Sequence, residues 1–318
     1  MTDRDVKIEG SVVGSGPVGL ALGSGAARGL SYIGVIKALE EAGVEISCLA
    51  GTSIGAMIGA IYASGVPIDR MEQVARSLNW QKLTRLLDPI IPTSGLIDGK
   101  KVGRFIDDLL PVKSFEELQR PLAVTATDVE SGELVVIRKG NLLEAVQAAI
   151  AFPGLFTPVR FGDRFLVDGG LCAPVPTDIA RDMGADRVIS VCAIPEIEKI
   201  YTEASSPAHK KEKTVARFLD HFNSEWIENR FREVWQGKNG TNNRDDRRTV
   251  RKPPSIFSVF AQSVAIMENR ITEMSIDRTP ADLLIRPDLK DITLLEFHRA
   301  GECIEAGKQA VRSALKTF

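Results

Sequence analysis

Histidine is scarce in this chain: there are three in 318 residues, His209, His221 and His298. Metal ligation and imidazole-driven acid–base catalysis therefore have few places to start. Cysteine is hardly commoner. Cys48, Cys172, Cys192 and Cys303 lie far apart, with no C-x-x-C pair and no neighbouring histidine, which argues against a zinc site or a disulfide framework and for reduced thiols. Net charge is almost absent, 40 basic residues standing against 42 acidic ones. No overall field draws in nucleic acid or an anionic membrane, so any such binding is local, and a nucleic-acid partner is not expected. No apolar run reaches the roughly 18 residues of a membrane span. The opening MTDRDVKIEG is too charged for a signal peptide, and the expected location is cytoplasmic. What remains, 44% hydrophobic and 26% charged residues, is ordinary globular composition and sets aside disorder, collagen and coiled coil.

From Val18 to Val191 short β-rich runs alternate with helix-length amphipathic segments, the pattern of an α/β fold with a mostly parallel sheet covered by helices. VGLALG (18–23) and ISCLAG (46–51) read as strands. Between them Ile33, Ile36 and Leu39 repeat at helical spacing until Gly43, and Met57, Ile58, Ile61 and Tyr62 mark the next helix. LAVTATDV (122–129) and LVVIR (134–138) flank Ser131 and Gly132, which predicts a hairpin. Further strands are expected at 164–167, 187–192 and 282–286, and a closing helix at 294–315.

Residues 196–255 differ, being charged, polar and bracketed by prolines. The chain thus reads as a tail (1–17), a core (18–195), an insertion or lid (196–255) and a C-terminal part of the core (256–318). Within the insertion Val215, Phe218, Phe222, Trp226 and Phe231 give a helix an aromatic face. Lys238 to Lys252 then hold six basic against two acidic residues, a local attraction for anionic lipid. The competing readings are that this helix packs on its own domain or on a second copy in a homo-oligomer.

Four motifs can carry chemistry. Gly51-Thr52-Ser53-Ile54-Gly55 follows a strand and precedes a helix, where G-x-S-x-G lifts a serine onto a tight turn at a helix N-terminus. The alternative is a turn whose glycines only permit close packing. Gly23-Ser24-Gly25-Ala26-Ala27-Arg28-Gly29 ends the first strand, and its small residues leave backbone N–H groups open to an anion or oxyanion. Arg28 would fix that turn or meet a substrate phosphate. Asp168-Gly169-Gly170 follows the strand FLV, so a carboxylate projects from another strand end as a candidate base or as a plain turn residue. AAIAFPGLFTPV (148–159) is apolar with two rigidifying prolines, either a channel lining or a buried connection. No histidine is well placed, so a Ser–Asp pair is attractive.

These blocks, in this order, resemble the patatin-like phospholipase family and within it the bacterial branch related to neuropathy target esterase. The resemblance covers about Gly19 to Val191 and returns at ADLLIRPDL (281–289). It implies a three-layer α/β/α sheet fold and hydrolysis of phospholipid, lysophospholipid or related carboxylic esters. By the same resemblance Ser53 is the nucleophile and Asp168 the base of a Ser–Asp dyad. Gly23, Ser24, Gly25, Ala26, Arg28 and Gly29 form the oxyanion hole, and Gly51, Thr52, Ile54, Gly55, Gly169 and Gly170 complete the motifs. No metal or other cofactor is required, and peripheral membrane contact is expected only as a surface association. One departure stands out: Ser24 and Ala26 occupy positions where the family has glycine. The backbone donors survive that change if neither position needs a positive φ.

Three rival readings are open at this level. Gly14-Ser15-Gly16-Pro17-Val18-Gly19 spells a dinucleotide fingerprint, in the poor context of an apolar run that reads as a strand. A Ser53, Asp168, His298 order matches an α/β-hydrolase triad. A non-catalytic lipid-binding or regulatory protein that kept the fold is the third.

Overall fold

The computed structural model describes residues 18–86, 97–194, 256–289 and 292–316. The expected tail (1–17) and insertion (196–255), with His209, His221 and the aromatic helix and basic loop, lie outside the described residues. The chain divides into two compact units, one of residues 1–196 and 267–318, the other of residues 197–266. In the second unit the described part is 256–266, the first turns of a helix on which Val259, Phe260 and Ile266 are exposed.

The first unit is built on the strands β1 (Val18–Leu22), β2 (Ile46–Thr52), β3 (Leu122–Asp128), β4 (Leu134–Ile137), β5 (Val159–Phe161), β6 (Arg164–Asp168), β7 (Arg187–Val191) and β8 (Leu283–Ile285). Its helices are α1 (Ser31–Glu41), α2 (Ile54–Ala63), α3 (Ile68–Arg76), α4 (Trp80–Leu86), α5 (Lys100–Asp107), α6 (Leu142–Ala149), α7 (Thr177–Asp182), α8 (Ile256–Arg278, entering from the second unit) and α9 (Ala300–Ala314). β1 is buried along its whole length, as a strand covered on both faces must be. The period of two sorts its side chains by size. Leu20 and Leu22 join Leu49 and the helices α1, α2, α6 and α9 in the large core, while Ala21, Ala50 and Ala123 meet Ile179 and Ala180 of α7 in a thinner second layer.

Hydrogen-bonded neighbours run β5-β6-β3-β2-β1-β7-β8, and β4 also pairs with β3. The pairs β1–β2, β1–β7, β2–β3 and β7–β8 are parallel, whereas β3–β4, β3–β6 and β5–β6 are antiparallel. The registers along β3 position the site. β2 pairs with residues 122–125 and β6 with 126–128, while β4 pairs with 124–127. A strand has two edges, so with β4 on one, β2 and β6 must lie end to end along the other. Thr52 is opposite Thr125 and Asp168 is opposite Ala126. The carboxyl ends of β2 and β6 therefore meet head-on.

The expected strands and hairpin are present, with two differences in detail. Val159–Phe161, at the end of the proline block, forms β5 and turns through Gly162-Asp163 into β6, a two-residue hairpin signal. The closing helix starts at Ala300, later than expected. Before it comes a short 3₁₀ turn at Phe297–Arg299, and the Glu296 carboxylate accepts the Thr293 N–H at 2.8 Å.

Candidate active site

β2 ends at Thr52 and α2 begins at Ile54, leaving Ser53 alone between them at φ 56° and ψ −126°. A positive φ at a residue with a Cβ costs of order 1–3 kcal/mol, so the surrounding structure must hold it. The Thr52 hydroxyl donates to the Ala173 carbonyl at 2.7 Å and, having one proton, accepts from Thr125 Oγ1 at 2.7 Å. The Ser53 carbonyl accepts the N–H groups of Ala56 and Met57 at 3.0 and 3.2 Å. Gly55 lets α2 start directly against β1: a Cβ there would collide with the Leu22 carbonyl oxygen and lie 2.6 Å from that of Gly23. Gly55→Ala is accordingly expected to destabilise the fold by about 1–3 kcal/mol or more, read by chemical denaturation, because backbone must shift to admit the methyl.

Asp168 is placed with equal care. Its backbone N–H donates to the Ala151 carbonyl at 3.0 Å, and its carbonyl accepts from Thr127 Oγ1 at 3.0 Å. In the carboxylate, Oδ1 accepts the Gly170 N–H at 2.8 Å and Oδ2 accepts the Ser53 hydroxyl at 2.5 Å. The side chain is buried, and burial pushes its pKa up to about 6, against the opposing pull of the Ser53 and Gly170 hydrogen bonds. A carboxylate so raised is still largely ionised at neutral pH, yet more basic than one in water.

The glycine-rich turn divides into spent and open donors. The N–H groups of Gly23, Ser24 and Arg28 bond to the carbonyls of Val191, Pro174 and Gly25, so these three expected members of the oxyanion hole do not offer their amides. The amides of Gly25 and Ala26 have no acceptor among the described residues. Gly29 packs under Ile54. Ala26 takes φ 49°, so one of the two family-glycine positions does need a positive φ, and alanine occupies it with strain. Arg28, half-buried, donates from Nε to the Ile292 carbonyl at 2.6 Å and fixes the turn to the C-terminal segment. Tyr32, fully buried, locks the same turn by donating to the Ser24 carbonyl at 2.9 Å.

The structure therefore brings Ser53, Asp168, Gly169 and Gly170 together, with Ser24 of the glycine-rich turn beside Gly170. It leaves His298 elsewhere, tilted against Trp80 with ring centroids 4.7 Å apart and bonded to neither Ser53 nor Asp168. The fingerprint reading fails on Val18 and Gly19, which lie in β1 where a dinucleotide site needs a helix. The proline block supplies the Ala151 carbonyl that anchors Asp168. Thr125, Thr127 and Tyr32 escaped sequence reasoning because a buried hydroxyl leaves no pattern; only the TAT of LAVTATDV, polar inside an otherwise apolar strand, hinted at the two threonines.

Ser53 thus stands strained between strand and helix and bonded to a buried aspartate. The patatin-like phospholipase family profile matches residues 20–181. An uncharacterised NTE family protein of Mycobacterium tuberculosis is 31% identical over 345 aligned positions, covering 95% of this chain and 92% of that protein. The human patatin-like phospholipase domain-containing protein 6 is 38% identical over 181 positions, 55% of this chain but 13% of that much longer protein. Among solved structures, VipD from Legionella pneumophila aligns over 95% of this chain and 67% of its own, at 15% identity and a TM-score of 0.47. The chain belongs to the patatin-like phospholipase family and is a lipid hydrolase. No helix among the described residues is long and apolar enough to cross a membrane.

Proposed function

We propose that the chain cleaves acyl esters of phospholipid, lysophospholipid or a related lipid, with Ser53 as nucleophile and Asp168 as its base. The observation that carries this reading is the 2.5 Å contact from Ser53 Oγ to Asp168 Oδ2. Asp168 Oδ2 takes the hydroxyl proton as Oγ bonds to the ester carbonyl carbon. The carbonyl oxygen gains the charge and faces the amides of Gly25 and Ala26, with the first N–H groups of α2 adding the positive end of its dipole. The intermediate collapses by breaking the bond to the alcohol, which leaves with the proton from Asp168. Water then attacks the acyl-enzyme, giving its proton to the same carboxylate, which returns it to Ser53 Oγ as the bond to the acyl group breaks and the fatty acid leaves.

Lipid is the substrate class the apolar surroundings support. Phe152, Leu155 and Phe156 of the proline block are partly exposed near the backbone that anchors Asp168. Met267 and Met274, seven residues apart on α8 and so on one helical face, are 51% and 71% exposed, which supports peripheral contact with a lipid surface. A mixed-lipid incubation analysed for released fatty acid, wild type against Ser53→Ala, tests activity and substrate class together. Covalent labelling of Ser53 by a fluorophosphonate probe separates this reading from a non-catalytic lipid-binding protein.

A further inference from the structure

Glu268 belongs to none of the family's motifs and lies 100 positions beyond Asp168, on α8. The backbone at Gly170 nevertheless marks where its carboxyl ends. A Cβ built on Gly170 would collide with Glu268 Oε1 and would lie 2.6 Å from Ser24 Oγ and 3.2 Å from Asp168 Oδ1. Three oxygens from three separate elements converge there. Ser24 is 2% exposed and its hydroxyl has no hydrogen-bond partner among the described residues. Asp168 Oδ1 is the edge of the carboxylate that does not touch Ser53. No third Asp, Glu, His or Cys among the described residues joins the two carboxyls to make a metal-holding group.

We propose that Glu268 is a positioning residue for the dyad: from α8 it closes the Oδ1 edge of Asp168 against water with an uncharged carboxyl, and it withdraws when that carboxyl loses its proton. The inference rests on the Ser53–Asp168 reading above. Two carboxylates this close, with one edge buried, cannot both stay charged and in place. The charged group acting on Glu268 is Asp168. From the turn at 23–29, Arg28 points to the Ile292 carbonyl, and on α8 Arg270 pairs with Glu273 at 3.3 Å, so neither cation neutralises the pair. Burial, then the Asp168 charge, raise Glu268 to about 8, above Asp168 itself. At neutral pH the pair therefore holds one proton and one negative charge between its two carboxyls. Once Glu268 ionises it is driven toward solvent; water reaches Oδ1, and the aspartate falls back toward the weaker basicity of a hydrated carboxylate.

The test is the pH profile of kcat/KM on a soluble ester, run on the full chain. Wild type is expected to rise through about pH 6 and fall through about pH 8. Glu268→Gln keeps the shape and has no proton to lose, so it should retain the acid limb and lose the alkaline one. Glu268→Ala opens the edge and should move the acid limb down by at least one pH unit at every substrate tested. Because Ala at a half-buried position can still destabilise the fold, Gln carries the decision if Ala melts early. A second measurement is independent of turnover: Glu268→Gln should gain melting temperature relative to wild type from about pH 4.5 to 8 and no more above it, because a Glu raised in the fold loses its stabilising contribution between its unfolded value and about 8. An alkaline limb shared by wild type and Gln overturns the proposal, as does an acid limb that stays put in a folded Ala variant. Fluorophosphonate labelling of wild type tells the two failures apart: with Ser53 labelled and the limbs unmoved, only the role of Glu268 falls, and with Ser53 unlabelled the dyad reading falls with it.

Discussion

Ser53→Ala is expected to reduce ester turnover by about 10⁴-fold or more and to abolish fluorophosphonate labelling. The fold should survive, because alanine carries the same Cβ into the same φ 56° position and the bonds that hold the turn come from Thr52, Thr125 and the Ser53 carbonyl, none of which the change removes. The loss is therefore read as chemistry, provided the melting temperature stays within a few degrees. Residual turnover in the variant within tenfold of wild type would move the nucleophile to another residue.

Asp168→Asn carries the second large effect, and it has two opposite signs. Turnover should drop by about 10³–10⁴-fold, since an amide cannot take the Ser53 proton. Stability should move the other way with pH. Burial raises the Asp168 pKa to about 6 from an ordinary 3.8, so the folded protein favours the protonated acid. The contribution is fully present below the unfolded value and is lost as pH rises through the folded one, a window from about 4 to 6 that amounts to roughly 3 kcal/mol by pH 7. Asparagine has no such penalty. Chemical denaturation at pH 4 and pH 7 should show the variant gaining on wild type by of order 2–3 kcal/mol between the two. A difference that stays flat across that window would mean Asp168 does not titrate as a buried carboxyl.

Much of this architecture is legible in the sequence because it rests on local signals. Alternating strand and helix periods from Val18 to Val191, glycines at both ends of Thr52-Ser53-Ile54, and Asp168 at a strand end each need only a few consecutive residues to be read. The direction of β6 is a different matter. Nothing in RFLVD says that it runs against β3, and the convergence of Ser53 with Asp168 depends on that reversal and on a register that stops β2 at Thr125 and β6 at Ala126. The glycine-rich turn shows the same limit. Its small residues announce open amides, but which amides are already spent depends on Val191 and Pro174, over 140 positions away. Arg28 reads equally well as a phosphate ligand or a structural anchor until the Ile292 carbonyl is seen against it. Glu268 is the extreme case, one of three acids on its helix, given meaning only by the glycine it faces.

The end-to-end meeting of β2 and β6 has a consequence for the newborn chain. Until β3 has zipped to both, Ser53 is an ordinary alcohol and Asp168 an ordinary hydrated acid, separated by 115 residues of flexible polymer. On the proposed mechanism a nascent or partly unravelled molecule therefore lacks its assembled pair, and completion of the fold is itself the activation step.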